Sequence, residues 1–350
     1  MDDQERIEQL MAVLPGWYGE NRRELPWRRD REPYHVWLSE IMLQQTRVEA
    51  VKGYYSRFLS AVPDIPALAA ADAELLHKLW EGLGYYSRVR NLQKAARVIV
   101  SDHGGVFPSS PAAVRALPGI GDYTAGAICS ICFDLPEPAV DGNVLRLLSR
   151  LREDERCVDL QPVKKAVRDE LAALYPAKGA GNLTQALMEL GATVCLPNGE
   201  PDCAHCPAAA FCAARQAGSW QSYPVRVEKK ARRTEERTVF VFACEGRFAL
   251  KKRGPSGLLA GLWEFPNVAG RLEAQQALDL AAAWGLRPRG LEKQVERTHI
   301  FTHIRWDMRC FYIPCAARAE GFVWADRSEL EGRYALPTAF RMFREDTQNE

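Results

Sequence analysis

Residues 117–127, Leu-Pro-Gly-Ile-Gly-Asp-Tyr-Thr-Ala-Gly-Ala, constrain the fold more than any other stretch of this 350-residue chain. Gly119 and Gly121 permit a tight turn, because glycine tolerates positive φ and the close approach of another backbone. The residues that follow indicate a helix, whose free N–H groups and positive dipole end would attract an anion such as a DNA phosphate. A Gly-x-Gly turn alone is equally compatible with a plain helix–turn–helix packing element.

Two acidic residues on either side of this turn are candidates for chemistry. Asp141 directly precedes a predicted helix, where capping of the helix N-terminus is the simpler interpretation. Glu40 lies in a mostly apolar helix, and its neighbours at helical spacing are Val36, Trp37, Leu43 and Gln44. Burial there would raise the pKa of Glu40 towards neutral pH, as a general acid requires. A solvated acid on the polar side of the helix is the alternative.

Four of the ten cysteines fall in one short segment, with gaps of seven, two and five residues: Cys195, Cys203, Cys206 and Cys212. Four soft thiolates at this density are typical of a zinc or iron–sulfur site, whereas four unrelated buried cysteines would rarely cluster. Zinc modules more often contain two close pairs, and this segment has one. The asymmetric spacing therefore favours an iron–sulfur cubane with a structural role.

The composition is that of an ordinary globular protein, with 47% hydrophobic and 26% charged residues. The formal net charge of +1 does not by itself indicate a nucleic-acid partner. No apolar run approaches the roughly 20 residues of a membrane span, and the first residues do not resemble a signal peptide. We expect a cytoplasmic protein.

The pattern of apolar residues changes along the chain and predicts a multidomain protein. Residues 1–217 have apolar residues at helical spacing and predict an all-α domain. Residues 218–236 are basic and predict a linker, which could also lie along a phosphate backbone. Residues 237–350 contain strand candidates at 238–244 and 305–313 and predict a smaller α+β domain.

Taken together, these features resemble the MutY-type adenine DNA glycosylases of the helix–hairpin–helix superfamily. The resemblance covers nearly the whole chain and rests on residues 25–28, 39–46, 82–86, 117–127 and 140–143 and on the cysteine cluster. It implies a monomer that removes adenine opposite 8-oxoguanine or guanine in double-stranded DNA. It also implies one [4Fe-4S] cluster held by the four cysteines, although their first gap is one residue longer than is common in that family.

The resemblance also implies roles for individual residues. Glu40 would protonate adenine N7 and Asp141 would stabilise an oxocarbenium-like sugar, while Asn143 and Tyr123 orient this pair. The residues that would line the adenine pocket or fill the stack around the oxidised guanine are Arg23, Trp27, Arg28, Leu43, Gln45 and Tyr85. Gly119 and Gly121 would contact the DNA phosphate. This division of labour agrees with the use of one neutral and one ionised carboxyl group in glycoside hydrolysis.

The second domain is similar to the Nudix-like module of the same family, through residues 255–266. Residues 273–282 lack the glutamate-rich string that Nudix hydrolases use to bind metal, so we expect binding without nucleotide hydrolysis. Three residues match the family's loop that senses 8-oxoguanine: Phe301, Thr302 and His303. The family usually has serine where Thr302 stands, so the hydroxyl is kept and a methyl group is added.

Two other functions fit parts of the pattern. An endonuclease III-like glycosylase with lyase activity would need a lysine where Tyr123 stands, and tyrosine cannot form a Schiff base. A non-catalytic DNA-binding scaffold would keep the hairpin and the cysteines, but it would leave Glu40 to solvation and Asp141 to capping. Tyr123 and the second domain favour a glycosylase without strong strand cleavage.

Overall fold

The computed structural model describes residues 1–228 and 231–345. They form two compact units, one of residues 1–70 and 90–228, the other of residues 71–89 and the described residues after position 230. The first unit contains only helices and turns among its described residues, and the second contains a sheet with helices. No helix in the described part of the chain is long and apolar enough to cross a membrane.

The helices and strands are numbered in chain order. The helices are α1 (Asp3–Asn21), α2 (Pro33–Leu43), α3 (Val48–Ala61), α4 (Ile65–Ala70), α5 (Ala73–Leu79), α6 (Ser87–Asp102), α7 (Pro111–Ala116), α8 (Asp122–Phe133), α9 (Gly142–Arg152), α10 (Gln161–Ala172), α11 (Ala180–Thr193), α12 (Ala213–Ala217), α13 (Ala274–Ala283), α14 (Arg327–Gly332) and α15 (Thr338–Glu345). Short 3₁₀ helices cover Pro26–Arg28 and Trp220–Ser222. The strands are β1 (Arg233–Cys244), β2 (Arg247–Lys252), β3 (Trp263–Glu264), β4 (Asn267–Ala269), β5 (Lys293–Ile300), β6 (Ile304–Pro314) and β7 (Val323–Ala325). The predicted combination of an all-α domain with an α+β domain is confirmed.

Helix α11 lies at the centre of the first unit, where it packs against α1, α8 and α9. Its start is fixed by Asp134, which ends α8 in a left-handed conformation with φ of 55°. The Asp134 carboxylate accepts hydrogen bonds from the backbone N–H groups of Gly179 and Gly181, at 2.8 and 3.1 Å. The side chain of the residue that ends α8 therefore caps the start of α11.

The glycine-rich stretch forms a helix–hairpin–helix, with α7 before the turn and α8 after it. Gly119 has φ of +80°, and an added Cβ would lie 2.7 Å from the Cβ of Asn91. Glycine is thus required at this position both by conformation and by space. Gly121 has an extended backbone, and its C=O accepts from the Ala125 N–H to begin α8.

The second unit is built on a mixed sheet with the strand order β3-β2-β1-β6-β5, to which β4 and β7 add at β1 and β2. Strands β1 and β6 are parallel, and the other pairs are antiparallel. Both faces are covered, because Val239 and Val241 pack in one apolar cluster while Phe240 and Phe242 pack in another. Strand β1 begins before position 237, since its first residue already pairs with Ile304.

The segment 71–89 is held in the second unit by polar contacts of its helix α5 and the turn after it. The indole N–H of Trp263 donates to Oε2 of Glu74 at 2.8 Å, and the backbone N–H of Leu336 donates to Oε1 of Glu81 at 3.0 Å. The boundaries at 217 and 237 stay predictions. Lys229 and Lys230 of the predicted linker lie outside the described residues.

Asp134→Ala should lower the free energy of unfolding of the helical unit by about 1 kcal/mol, because it removes the cap of α11. Chemical denaturation followed by far-UV circular dichroism measures the change. Asp102→Ala is the matched control, since Asp102 ends α6, where a negative charge opposes the helix dipole and its removal is neutral or stabilising. Equal losses in both variants would contradict the capping role.

Candidate active site

A cavity of about 820 Å³ lies in the first unit between α2, α8, α9 and α11. This volume is within the range of small-molecule sites and is ample for a nucleobase. The sequence-predicted residues that line it are Arg23, Trp27, Arg28, Glu40, Leu43, Gln45, Gly121, Tyr123, Asp141 and Asn143. Gly119 lies in the hairpin behind it, whereas Tyr85, Phe301, Thr302 and His303 belong to the second unit.

Glu40 is buried on α2, with 6% of its surface exposed. Its Oε2 accepts a hydrogen bond of 2.6 Å from the Tyr123 hydroxyl. Burial raises the pKa of Glu40 to about 7, an effect that the Tyr123 hydrogen bond reduces and the neighbouring Asp141 increases. Burial also raises the pKa of Tyr123, which therefore remains a hydrogen-bond donor. Near neutral pH, Glu40 is poised to hold or release a proton.

Asp141 is the N-cap of α9, so capping and a place in the cavity are compatible for this residue. Its Oδ1 accepts from the backbone N–H groups of Asn143 and Val144, at 2.9 and 2.8 Å. Its Oδ2 accepts from the Asn143 amide at 2.7 Å. Burial raises the pKa of Asp141, and these three hydrogen bonds oppose that rise because they favour the ionised carboxylate.

Asn143 is itself held by Arg146, a buried residue that the sequence did not single out. Nη2 of Arg146 donates to Oδ1 of Asn143 at 2.8 Å and to the Gly191 carbonyl at 2.7 Å. Its Nε donates to the Cys195 carbonyl at 2.8 Å. One guanidinium therefore ties the partner of Asp141 to α11 and to the beginning of the cysteine segment.

Glu189 on α11 is a second cavity residue that the sequence did not single out, and its side chain is fully buried. It accepts from Nε and Nη2 of Arg23 and from Nη2 of Arg28, at 2.7 to 2.8 Å. Burial alone would raise its pKa, but the two arginines outweigh burial and lower the pKa to about 2. An acid within an apolar helical run, the signal that identified Glu40, would have found it.

The mouth of the cavity is basic and borders the start of α8. The cationic side chains that line it are Lys164, Lys165, Arg168 and Arg226. Arg168 pairs with Asp122 in the first turn of α8 at 3.0 Å, which places cationic side chains next to that helix start. Such a surface favours a phosphate group.

The four clustered cysteines line a single small pocket against α9. Nη1 of Arg150 donates to the Cys195 sulfur at 3.4 Å, and its Nε reaches the carbonyls of Trp220 and Tyr223 at 3.1 Å. Burial raises the pKa of Cys206 to about 12, and the neighbouring thiols contribute. Among residues 1–228 and 231–345, no three His, Cys, Asp or Glu side chains converge closely enough to hold one metal ion.

The four thiols of this pocket nevertheless supply a complete ligand set for an iron–sulfur cluster. A cubane of four irons is wider than one zinc ion, so its thiolates stand further apart around it. An N–H group directed at a cysteine sulfur, as Arg150 provides, is typical of the surroundings of iron–sulfur clusters. The residues present therefore fit a four-thiolate cluster.

In the second unit, three sequence-predicted residues lie on the turn between β5 and β6. The Phe301 ring packs edge-on against Trp306, with 4.9 Å between ring centroids. Thr302 and His303 are exposed, and Oγ1 of Thr302 shares a hydrogen bond of 2.6 Å with the Tyr85 hydroxyl. This hydrogen bond joins the turn to the segment 71–89 at an exposed position.

Comparison with known proteins gives two family matches. Residues 38–176 match the HhH-GPD superfamily of base excision DNA repair proteins, and residues 238–345 match the NUDIX domain. The adenine DNA glycosylase of Rattus norvegicus is 33% identical over 95% of this chain and 77% of its own length. That of Homo sapiens is 35% identical over 98% and 74%, and that of Buchnera aphidicola 34% over 75% and 75%.

Solved structures match the helical part. A thermostable thymine-DNA glycosylase superposes with a TM-score of 0.55 at 26% identity, over 61% of this chain and 98% of its own. A non-covalent endonuclease III–DNA complex superposes with a TM-score of 0.53 at 21% identity, over 62% and 99%. The second likeness shows the fold alone.

The ionisation of Glu40 should make the free energy of unfolding depend on pH. Unfolded, Glu40 loses its proton near its ordinary pKa of 4.5, whereas the folded protein keeps it to about pH 7. Between these values the unfolded state binds fewer protons, so this residue makes the free energy of unfolding fall as the pH rises. The Glu40→Gln variant has no such ionisation, so its free energy of unfolding does not fall for this reason. Its stability relative to the wild type should therefore increase by on the order of 3 kcal/mol from pH 4.5 to 7.

Urea denaturation at several pH values, followed by circular dichroism, measures this difference. Glu49→Gln on the exposed surface of α3 is the control for the substitution itself. A Glu40→Gln difference that is constant with pH would mean that Glu40 ionises at its ordinary pKa in the folded protein.

Proposed function

The chain belongs to the adenine DNA glycosylases, enzymes of base excision repair, and from that premise we propose its substrate and mechanism. The substrate is double-stranded DNA with adenine opposite 8-oxoguanine or guanine, and the reaction is hydrolysis of the adenine N-glycosidic bond. One observation carries the mechanism: Glu40, with a pKa near 7, and the hydrogen-bonded Asp141 line the same cavity.

Glu40 is the general acid. Adenine leaves poorly as an anion, and a proton donated to N7 lowers the barrier to its departure. Burial raises the pKa of Glu40 to about 7, so a substantial fraction carries the proton near neutral pH, and the Tyr123 hydrogen bond fixes one of its oxygens. Once the proton has moved to N7, the Glu40 carboxylate can accept a proton from the water that adds to C1′ of the sugar.

Asp141 is the electrostatic partner. As the glycosidic bond breaks, positive charge develops on the sugar, and a fixed anion stabilises it. The hydrogen bonds to Asp141 come from the start of α9 and from Asn143, so the carboxylate is oriented before substrate binds. This arrangement matches a site with one neutral and one ionised carboxyl group.

Adenine reaches this pair by flipping out of the duplex, because its reacting atoms are inaccessible in a stacked base pair. The cavity volume of about 820 Å³ accommodates the base and part of the sugar. Arg23 and Arg28, fixed by Glu189, border the pocket with rigid donors, and Trp27 supplies an aromatic wall. Leu43 and Gln45 also line the cavity, and they fill the disturbed stack.

The enzyme is a glycosylase without Schiff-base lyase chemistry, since Tyr123 has no amine and its hydroxyl is engaged by Glu40. The basic mouth of the cavity and the hairpin bind phosphates flanking the flipped nucleotide. Phe301, Thr302 and His303, together with Tyr85, recognise the 8-oxoguanine opposite. The cysteine pocket holds a [4Fe-4S] cluster, which braces the segment that Arg146 connects to Asn143.

Glu40→Gln and Asp141→Asn should each reduce the rate of adenine excision by about 10²–10⁴-fold, because each removes one half of the acid–anion pair. The assay incubates enzyme with a duplex that holds adenine opposite 8-oxoguanine and reveals abasic sites with alkali. Measuring the single-turnover rate separates chemistry from product release.

Glu49→Gln serves as the exposed control and should excise adenine at the wild-type rate. Omission of alkali tests for lyase activity, and intact strands are expected. Full activity in both active-site variants would show that Glu40 and Asp141 are not the catalytic pair, whereas strand cleavage without alkali would favour the lyase hypothesis.

The cysteine pocket should contain roughly four irons per chain and no zinc. Elemental analysis of anaerobically purified protein, with the visible absorbance of the same sample, measures this directly. Cys206→Ser should lose iron, while Cys157→Ser, outside the pocket, should retain it. Stoichiometric zinc, or no metal at all, would contradict the proposed cluster.

A further inference from the structure

Tyr85 has a backbone conformation that requires an explanation. Its φ is 47°, in the left-handed region, and it follows Gly82 and Gly84 with φ of 103° and 72°. For a bulky aromatic residue this conformation is rare and unfavourable, so it persists only where surrounding contacts enforce it. The Tyr85 side chain is also 45% exposed, so its own burial supplies little of that enforcement.

The contacts that enforce the turn come from Arg88 and Trp80. Nη2 of Arg88 donates to the carbonyls of Leu83 and Gly84, at 3.0 and 3.1 Å. The Trp80 indole N–H donates to the same Gly84 carbonyl at 3.1 Å. The Arg88 guanidinium, 8% exposed, therefore lies beneath the turn and binds the two carbonyls that precede Tyr85.

Arg88 also touches the ring that the turn presents. Its Cζ lies 5.6 Å from the centroid of the Tyr85 ring and 5.3 Å from that of Trp80. Burial lowers the pKa of Arg88 to about 10, which leaves it charged at neutral pH. A planar cation at this distance from two aromatic rings is favourable and adds a contact to the otherwise exposed Tyr85 ring.

In this arrangement the Tyr85 hydroxyl lies 2.6 Å from Thr302 Oγ1, within hydrogen-bond distance. Both atoms lie on an exposed surface, where a flexible side chain would normally be solvated. A side chain that is fixed before binding loses less entropy when the ligand arrives. Tyr85 and Thr302 are therefore fixed before a ligand binds, at the turn that carries Phe301 and His303.

We propose that Arg88 is a positioning residue for recognition of the base opposite adenine, acting through Tyr85. This inference rests on the proposed function, in which Tyr85 and Thr302 recognise 8-oxoguanine. Arg88 touches neither the reacting atoms nor the cavity of Glu40, so its loss should alter discrimination between partner bases and leave the chemical step intact. Lysine cannot replace it, because an ammonium group can donate to the two carbonyls but has no planar face to stack on the Tyr85 ring.

The experiment compares excision of adenine opposite 8-oxoguanine with excision opposite guanine, using the full-length protein. Arg88→Lys should lower the ratio of the two rates at subsaturating enzyme by about tenfold, because the stacking of the guanidinium on Tyr85 is lost. The single-turnover rate at saturating enzyme should be unchanged. Arg57→Lys, which alters another arginine stacked on a tyrosine, is the matched control and should keep the wild-type ratio.

A double-mutant cycle with Tyr85→Ala distinguishes positioning from a general structural role. If Arg88 acts through Tyr85, Arg88→Lys has no further effect on the ratio in the Tyr85→Ala background. Additive effects of the two changes, or an unchanged ratio in Arg88→Lys alone, would overturn the proposal. Rates are normalised to the active fraction from burst amplitudes, so partial misfolding does not enter the ratio.

The partner-base preference of the wild type distinguishes failure of the Arg88 proposal from failure of the proposed function on which it rests. A wild-type enzyme that does not prefer 8-oxoguanine over guanine would remove the lesion-sensing part of the proposed function. A wild type with that preference and an Arg88→Lys variant that retains it would refute the role of Arg88 alone.

Discussion

The crossing of α9 and α11 is the constraint on which the first unit depends. At Gly191 the two helices are so close that an added Cβ would lie 2.7 Å from the Cβ of Asn143. Arg146 bonds across this crossing to Asn143 and to the Gly191 carbonyl. The close approach fixes Asn143, Asn143 orients Asp141, and Glu189 on the same α11 fixes the two arginines of the pocket. Packing of two helices thus determines the geometry of both the anionic and the base-binding sides of the cavity.

The chemistry follows from the different solvation of two carboxyl groups in one cavity. Glu40 has a single hydrogen-bond donor, Tyr123, among its described contacts, and burial raises its pKa to about 7. Asp141 has three donors, two of which are backbone N–H groups at the start of a helix, where the dipole also favours negative charge. Because each ionised group raises the pKa of the other, the arrangement with one proton on Glu40 is the stable one near neutral pH. Without the backbone N–H groups at the start of α9, Asp141 would lose two of its three donors, and the two carboxyl groups would no longer differ in this way.

The sequence predicts the helical and α+β domains and the helix start after Asp141, and it offers burial as one of two interpretations of Glu40, because each depends on local pattern: glycine at a turn, an N-cap, apolar spacing. It does not identify Arg146 or Arg88. An arginine on a helix is ordinarily solvated, and only the folded structure shows that these two are buried, Arg146 against the carbonyl of the distant Gly191 and Arg88 against the carbonyls of the turn that precedes its helix. Nor does local pattern assign residues 71–89 to the second unit, since their helix α5 has the same apolar spacing as its neighbours in the chain. The contacts that hold it, such as Trp263 with Glu74, join residues far apart in sequence.

Residues 71–89 belong to a different compact unit from the residues that flank them in the chain. The chain leaves the first unit at residue 70, contributes residues 71–89 to the second unit and returns at residue 90. Tyr85, an aromatic residue from the N-terminal half of the sequence, is therefore part of the same compact unit as Thr302. A C-terminal domain excised at position 237 would lack Tyr85, Arg88 and the acid that binds Trp263, so its recognition surface would be incomplete however well its sheet folded. The partner-base recognition that we propose would accordingly require both segments, which lie far apart in the sequence and are joined by a few polar contacts.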